Sequence, residues 1–309
     1  MNLAEAIIKA TVRAGTPLLF ATLGSIIVER SGVMNLGLEG YMLLGAVGGF
    51  ATAYVTGNLL LALLVAALMG AILASIHAFL SITLKVNQVV SGLAIAMLGT
   101  GLSGVWGRNY IGQVAEQFKP IALPFLSEIP IIGDPFFNQD IMVYMSYLLV
   151  PLIWFFLFRT KWGMATRAVG EAPSAADSKG INVFKVRYIS TIVGSSITAL
   201  GGAYLSLAYT SMWVENMTAG RGWIAIALVI FATWHPTKAL LGAYLFGGVM
   251  ALQLRLQSLG VEVSSQLLMM LPYLVTLVVI VLFNSNERLR RKMGIPTKIG
   301  IPYSREEKD

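Results

Sequence analysis

The chain contains no cysteine and only two histidines, His77 and His235, among its 309 residues. Disulfides, thiolate nucleophiles and thiolate metal sites are excluded, and a histidine-rich metal centre has too few ligands. Charge is also scarce: 12% of residues are Asp, Glu, Lys or Arg, against about 25% in soluble domains. Aspartate is missing from every long apolar run, and glutamate stands only at run ends or in connections. The carboxylate relays of proton-coupled carriers therefore have nothing to be built from. No glycine-rich phosphate loop ending in Lys-Ser or Lys-Thr occurs, so any nucleotide must be hydrolysed on another chain. An intramembrane enzyme is disfavoured by the same lack of cysteine, of a HExxH helix and of paired intramembrane aspartates.

What is present is apolar. Hydrophobic residues make up 56% of the chain and the mean hydropathy is +0.74. A spanning helix needs about 20 mainly apolar residues, and suitable runs recur at 14–28 (starting nearer Ile7 at the earliest), 41–55, 59–84, 89–110, 141–158, 188–209, 223–234, 239–256 and 267–283. The expected fold class is therefore all-α: a polytopic transmembrane helix bundle of about nine spans. Glu5, Lys9 and Arg13 interrupt the early residues, which is a poor fit to a cleavable signal peptide, so the first run is expected to be retained. The net charge of +7 sits in the connections between runs, which is the pattern of membrane topology and not of nucleic-acid binding.

Orientation follows from Lys and Arg retained on the cytoplasmic side. Residues 159–187 carry Arg159, Lys161, Arg167, Lys179, Lys185 and Arg187 against Glu171 and Asp177, and the tail carries Arg288, Arg290, Arg291 and Lys292. Both are expected inside. Residues 112–140 hold Glu116, Glu128, Asp134 and Asp140 with Lys119 alone, and are expected outside. The N-terminus then falls outside and the C-terminus inside. The expected division is a membrane permease domain at 1–286 and a basic cytoplasmic tail at 287–309.

Two stretches break the apolar pattern in a similar way. ERSGVMNLGLEG at 29–40 and WVENMTAGRGW at 213–223 each bring an Asn (Asn35, Asn216) and then a charged residue, a glycine and an aromatic: Glu39-Gly40-Tyr41 and Arg221-Gly222-Trp223. Five spans separate them, so they run antiparallel in the bilayer, as an inverted repeat requires. The first stretch is either a tight cytoplasmic turn or a broken helix against the translocation path. Arg221 either snorkels to the interface or shapes an outer mouth with Glu215. The candidate path residues are Asn35, Gly37, Glu39, Gly40, Tyr41, Asn216, Arg221 and Trp223.

WGMATRAVGEAPSAADSKGINVFKVR at 162–187 carries a second signal. Pro173 suits the first position of a helix and Gly180 the residue just past its end. A helix of about two turns cannot hold itself in water, so its small residues Ala175 and Ala176 read as a surface fitted to a partner's groove. His77, within the third run, is expected to be an interhelical hydrogen-bonding residue, and His235 a turn residue before Pro236.

SGVMNLGLEG with the YMLLGA that follows, and VGEAPSAADSKGI, resemble the permeases of the ABC importers that serve simple sugars, nucleosides and branched-chain amino acids, most closely the short permease of the nucleoside branch. The resemblance runs over 15–283 and departs from the family pattern at Ala172, where an Asn is usual. It implies that Gly170, Glu171, Pro173, Ala175, Ala176, Gly180 and Ile181 couple to a cytoplasmic ATPase. It further implies a second, longer permease, an extracytoplasmic solute-binding protein and residence in the plasma (inner) membrane of a prokaryote, with no cofactor on this chain. A branched-chain amino acid permease and a stand-alone ion-coupled carrier are the alternatives.

Overall fold

The computed structural model describes residues 3–258 and 294–305, together with residues 267, 270, 271, 273, 274, 277, 278 and 281. The elements in chain order are α1 (Leu3–Arg30), α2 (Leu38–Thr56), α3 (Leu59–Ala78), α4 (Gln88–Gly107), β1 (Ile121–Ala122), α5 (Gly133–Phe137), β2 (Asn138–Gln139), α6 (Ile141–Arg159), α7 (Lys161–Glu171), α8 (Pro173–Ser178), α9 (Val183–Tyr204), α10 (Arg221–Phe231) and α11 (Pro236–Ser258). Single π-helical turns extend α3 through Thr83 and α9 through Tyr209. Among the described residues, six helices are long and apolar enough to cross a bilayer.

Helix starts follow the side chains that satisfy free amides. The amide oxygens of Asn58, Asn87 and Asn182 cap α3, α4 and α9, Asp140 caps α6 and Thr160 caps α7. Buried hydroxyls are handled locally: Thr16, Thr22, Ser81 and Thr191 each donate to the carbonyl four residues earlier, so none of these four is stranded in an apolar interior.

The helices sort into a centre and a rim. From Val12 to Val28 α1 is almost wholly buried, and α9 and the first half of α2 pack against its neighbours with few exposed residues. α3, α4, α6 and α11 are buried along about a third of their length and turn leucines such as Leu60, Leu64, Leu148 and Leu241 outward, as a lipid-facing ring does. Without a hydrophobic drive between helices in lipid, close approach of small residues holds such a centre together. A Cβ on Gly202 of α9 would run into the Met42 carbonyl of α2, and one on Gly24 of α1 into the Gly194 carbonyl of α9.

The two ends of α1 mark two opposite faces. Near its start, Lys9 pairs with Asp134 of the 112–140 connection at 2.9 Å. Just past its end, Gly32 accepts from the amide of Gly300 at 3.1 Å, beside Gly170. The N-terminal end thus lies with residues 112–140, and the 159–187 segment lies with residues 294–305 about 35 Å along the chain's first helix.

Two details depart from expectation. The seventh run folds as α10, eleven residues or about 16 Å, too short to cross about 30 Å of hydrocarbon. The chain is also not purely α, since β1 and β2 form a small antiparallel ribbon, Ile121 opposite Gln139. The run at 267–283 and the basic cluster at 288–292 lie largely or wholly outside the described residues.

Candidate functional site

The 159–187 segment forms two helices. Thr160 caps the first, α7, by accepting from the Gly163 amide at 3.0 Å. Ala172 then breaks the chain with no side-chain cap for α8, and Pro173 supplies the first residue of α8. The turn closes on Gly180, whose φ of +84° is the left-handed region that favours glycine. Its amide donates to the Asp177 carbonyl at 2.9 Å and that of Ile181 to the Ala176 carbonyl at 3.1 Å.

The residues singled out from the sequence divide between two faces. Gly170, Pro173 and Ala176 are buried; Ala176 joins Val169, Val183, Val186 and Tyr303 in an apolar cluster. Glu171, Ala175 and Gly180 are exposed, and Ile181 is half-buried. A low, two-turn outward surface therefore stands on an apolar inward one.

Sequence reasoning missed what braces it. Residues 294–305 lie across the segment. The Lys298 amide donates to the Gly170 carbonyl at 3.0 Å, Thr297 Oγ1 to Glu171 Oε2 at 2.7 Å, and Arg187 Nη1 to the Ile301 carbonyl at 3.0 Å. Tyr303 donates to Asp177 Oδ2 at 3.1 Å and Arg305 Nη2 to Oδ1 at 3.0 Å. Hydrogen bonding to Arg305, then to Tyr303, holds the Asp177 carboxyl below the usual range, and Asp177 in turn raises the Arg305 guanidinium. The readable signal was Tyr303 between Pro302 and the charged end.

The second constellation is the helix break at 29–40. After Arg30 the chain turns at Ser31 and Gly32 and runs irregularly to Leu38. Buried Glu29 accepts from Trp234 Nε1 at 2.6 Å and from Ser25 at 3.1 Å. The Met34 amide donates to Gln88 Oε1 at 2.7 Å, while His77 bridges Ser91 at 2.9 Å and the Met34 carbonyl at 3.1 Å. The Met34 backbone amide and carbonyl thus both meet protein, which is the condition for irregular backbone at membrane depth, while the buried side-chain amide of Asn35 has no hydrogen-bond partner among the described residues.

Glu39, in the first turn of α2, reaches across to the start of α10. Its carboxylate accepts from the amides of Gly220 at 3.0 Å and Gly222 at 2.8 Å and from the Thr218 hydroxyl. An anion at the amide end of a helix is favoured by both the free N–H groups and the dipole. The two repeat-like triplets, Glu39-Gly40-Tyr41 and Arg221-Gly222-Trp223, thus meet at their start.

Arg221 folds back onto the turn that precedes α10. Its Nη1 donates to the carbonyls of Met217 at 3.3 Å and Thr218 at 3.0 Å, and its guanidinium lies 5.6 Å from the Tyr209 ring. With Ile224, Gln253 and Tyr273 it lines a cavity of about 220 Å³. Asn35, Gly37 and Tyr41 are buried in packed protein, whereas Asn216 and Trp223 are exposed. His235 sits in the turn before α11, its ring 5.2 Å from Phe158.

Comparison with known proteins agrees with this architecture. The family model described as the permease component of the branched-chain amino acid transport system matches residues 7–282. TsgC13 of Haloferax volcanii, provisionally named a glucose ABC transporter permease protein, is 42% identical over 99% of both chains. The nucleoside ABC transporter permease protein NupC of Lactococcus lactis is 34% identical over 92% of this chain and 93% of its own. The guanosine ABC transporter permease protein NupQ of Bacillus subtilis is 33% identical over 94% and 95%. No solved structure matches. With a bundle of apolar helices, a buried helix break and near end-to-end similarity to such proteins, the chain belongs to the family of branched-chain amino acid transport system permease components, multi-pass membrane proteins that carry solute and are not themselves enzymes.

Proposed function

We propose that this chain is one of two permease subunits of an ABC importer for a nucleoside or simple sugar. A cytoplasmic ATPase engages it through Glu171, Ala175, Gly180 and Ile181, with Gly170, Pro173 and Ala176 holding that surface in place. The observation that carries the reading is the outward face of α8. It is low, exposed and closed by a left-handed Gly180, and it is fixed from below by α9 and from the side by residues 294–305. A surface so braced passes a push on to α9 and the rest of the bundle.

The second permease, a longer paralogue, and an extracytoplasmic binding protein complete the importer. The choice of solute rests on the glucose, nucleoside and guanosine permeases among the relatives. Nine crossings in an inverted repeat, the seventh made by α10 together with the stretch 210–220 before it, with the N-terminus outside and the C-terminus inside, fit the placement of Lys9 beside Asp134 and of Gly300 beside Gly32 together with the distribution of Lys and Arg. Residues 1–286 then form the membrane domain and 287–309 a cytoplasmic tail whose stretch 294–305 works with the coupling segment. Along the solute path, Glu39, Gly40 and Arg221 form the helix-break junction, Asn35, Gly37 and Tyr41 support it from within, and Asn216 and Trp223 flank it.

The test is co-purification. Gly180→Val combined with Ala175→Glu is expected to abolish recovery of the ATPase encoded alongside it and to stop uptake of labelled nucleoside or sugar. Full ATPase recovery with unchanged uptake overturns the coupling assignment.

A further inference from the structure

Two cavities that share Trp162 and Val186 form one groove, which borders the coupling surface at Ile181. The larger, about 320 Å³, is lined almost wholly by apolar side chains of α6 and α9, among them Leu149, Phe156, Ile189, Val193 and Ile197, and ends at Trp162. The smaller, about 220 Å³, begins at the same Trp162 and Val186 and is lined by Lys161 and Lys185. The apolar part is open to its surroundings, with Leu152, Ile189 and Val193 between 40% and 53% exposed.

Length, polarity and charge all select the occupant. From Val186 to Ile197 α9 rises about 16 Å, the depth of one leaflet of a bilayer whose hydrocarbon is about 30 Å thick. Trp162 stands where that depth ends, the usual place of an interfacial indole. The Lys185 ammonium lies 5.9 Å from the Trp162 ring. Among the described residues neither lysine pairs with a carboxylate. The acidic residues of the same segment are already engaged, Asp177 by Arg305 and Tyr303 and Glu171 by Thr297.

We infer that this groove holds one anionic glycerophospholipid, an acyl chain along α6 and α9 and the phosphate between Lys161 and Lys185. Basic pockets between helices at a membrane surface select such headgroups. The lipid would lie against the root of the coupling segment, so that α7 and α9 are joined through it. Its placement in the cytoplasmic leaflet rests on the orientation proposed above. The lipid preference does not, because it is read on the purified chain without any ATPase.

Native mass spectrometry of the full chain in detergent tests this with phosphatidylglycerol and phosphatidylcholine of the same acyl chains. Phosphatidylglycerol is expected to be retained about tenfold or more over phosphatidylcholine, the effect of two lysines near an anionic headgroup. Lys161→Gln with Lys185→Gln should erase that preference and leave phosphatidylcholine retention as it was. Equal retention of the two lipids by the unaltered chain, or a preference that survives the double variant, overturns the assignment. So does a thermal-midpoint rise with inorganic phosphate as large as that with phosphatidylglycerol, since the acyl groove then contributes nothing. Because the chain lacks cysteine, Val193→Cys provides a single reporter. Its modification by a membrane-soluble maleimide should be slowed by phosphatidylglycerol, and disulfide-linked dimers formed through it would give the groove to a second subunit instead.

Discussion

Glu39 and Gly222 are joined by a hydrogen bond of 2.8 Å from the Gly222 amide to the Glu39 carboxylate, although 183 residues separate them along the chain. The contact lets a helix of eleven residues begin inside the bundle. Its free amides would otherwise face an apolar interior, where each unsatisfied group is costly.

Removing that anion is expected to disturb α10 as a unit. Glu39→Ala strands the amides of Gly220 and Gly222, at about 1–3 kcal/mol for buried groups left without a partner. A lower thermal midpoint in detergent and reduced uptake should follow, and Glu39→Gln, which keeps an acceptor, should lose less. Identical midpoints for Glu39→Ala and the unaltered chain would remove Glu39 from this role.

Glu29 and Trp234 make a parallel case at the far end of α10. Trp234→Phe deletes the 2.6 Å donor to Glu29, and the expected loss is again about 1–3 kcal/mol. Trp223→Phe is the control: Trp223 is 40% exposed, and exposed substitutions usually stay within about 0.5 kcal/mol. Chemical denaturation of the two variants side by side distinguishes them.

At the coupling surface the chemistry of the turn predicts a graded series. Gly180→Val forces a β-branched side chain to a φ of +84°, a strain of about 1–3 kcal/mol. Gly180→Asn keeps a residue that tolerates left-handed backbone. ATPase recovery is expected to fall in the order Gly, Asn, Val. Equal recovery across the series would mean that the turn does not shape the docking face.

The Asp177 contacts carry a pH and salt signature. Arg305 and Tyr303 hold this carboxyl below its usual range, so attachment of residues 294–305 through it is complete above the ordinary carboxylate pKa of about 3.9 and is lost as pH falls through the lowered value. The pair is exposed at Arg305, so salt should weaken it as well. Limited proteolysis is the measurement: Asp177→Asn at neutral pH should speed cleavage within residues 294–305, as high salt does for the unaltered chain. Unchanged cleavage in both cases would show the tail to be held without Asp177, by its bonds to Gly170, Glu171 and Arg187.

The spanning runs were legible because about 20 consecutive apolar residues leave few alternatives, and α8 because Pro173 and Gly180 bracket it chemically. His77 was legible as an interhelical bridge for a similar reason, a lone polar ring in an apolar helix needing partners. The tail brace was not: Thr297, Tyr303 and Arg305 meet residues 126 to 128 positions away, and no local pattern marks such a pairing. Arg221 was left open because an arginine at the head of an apolar run looks the same in sequence whether it points to water or back to the carbonyls of Met217 and Thr218.

Composition and spacing by themselves determined that the chain crosses a membrane several times and that a short helix stands between Pro173 and Gly180. These depend on side-chain transfer to lipid and on capping, both local. Only the tertiary structure decided that α10 stops short, that Glu39 completes it, that residues 294–305 lock α7 and α8, and that α6 and α9 leave a groove one leaflet deep. Each of these depends on which distant surfaces come within hydrogen-bonding or van der Waals range, and that is fixed by the packing of α1, α2 and α9 at their small residues.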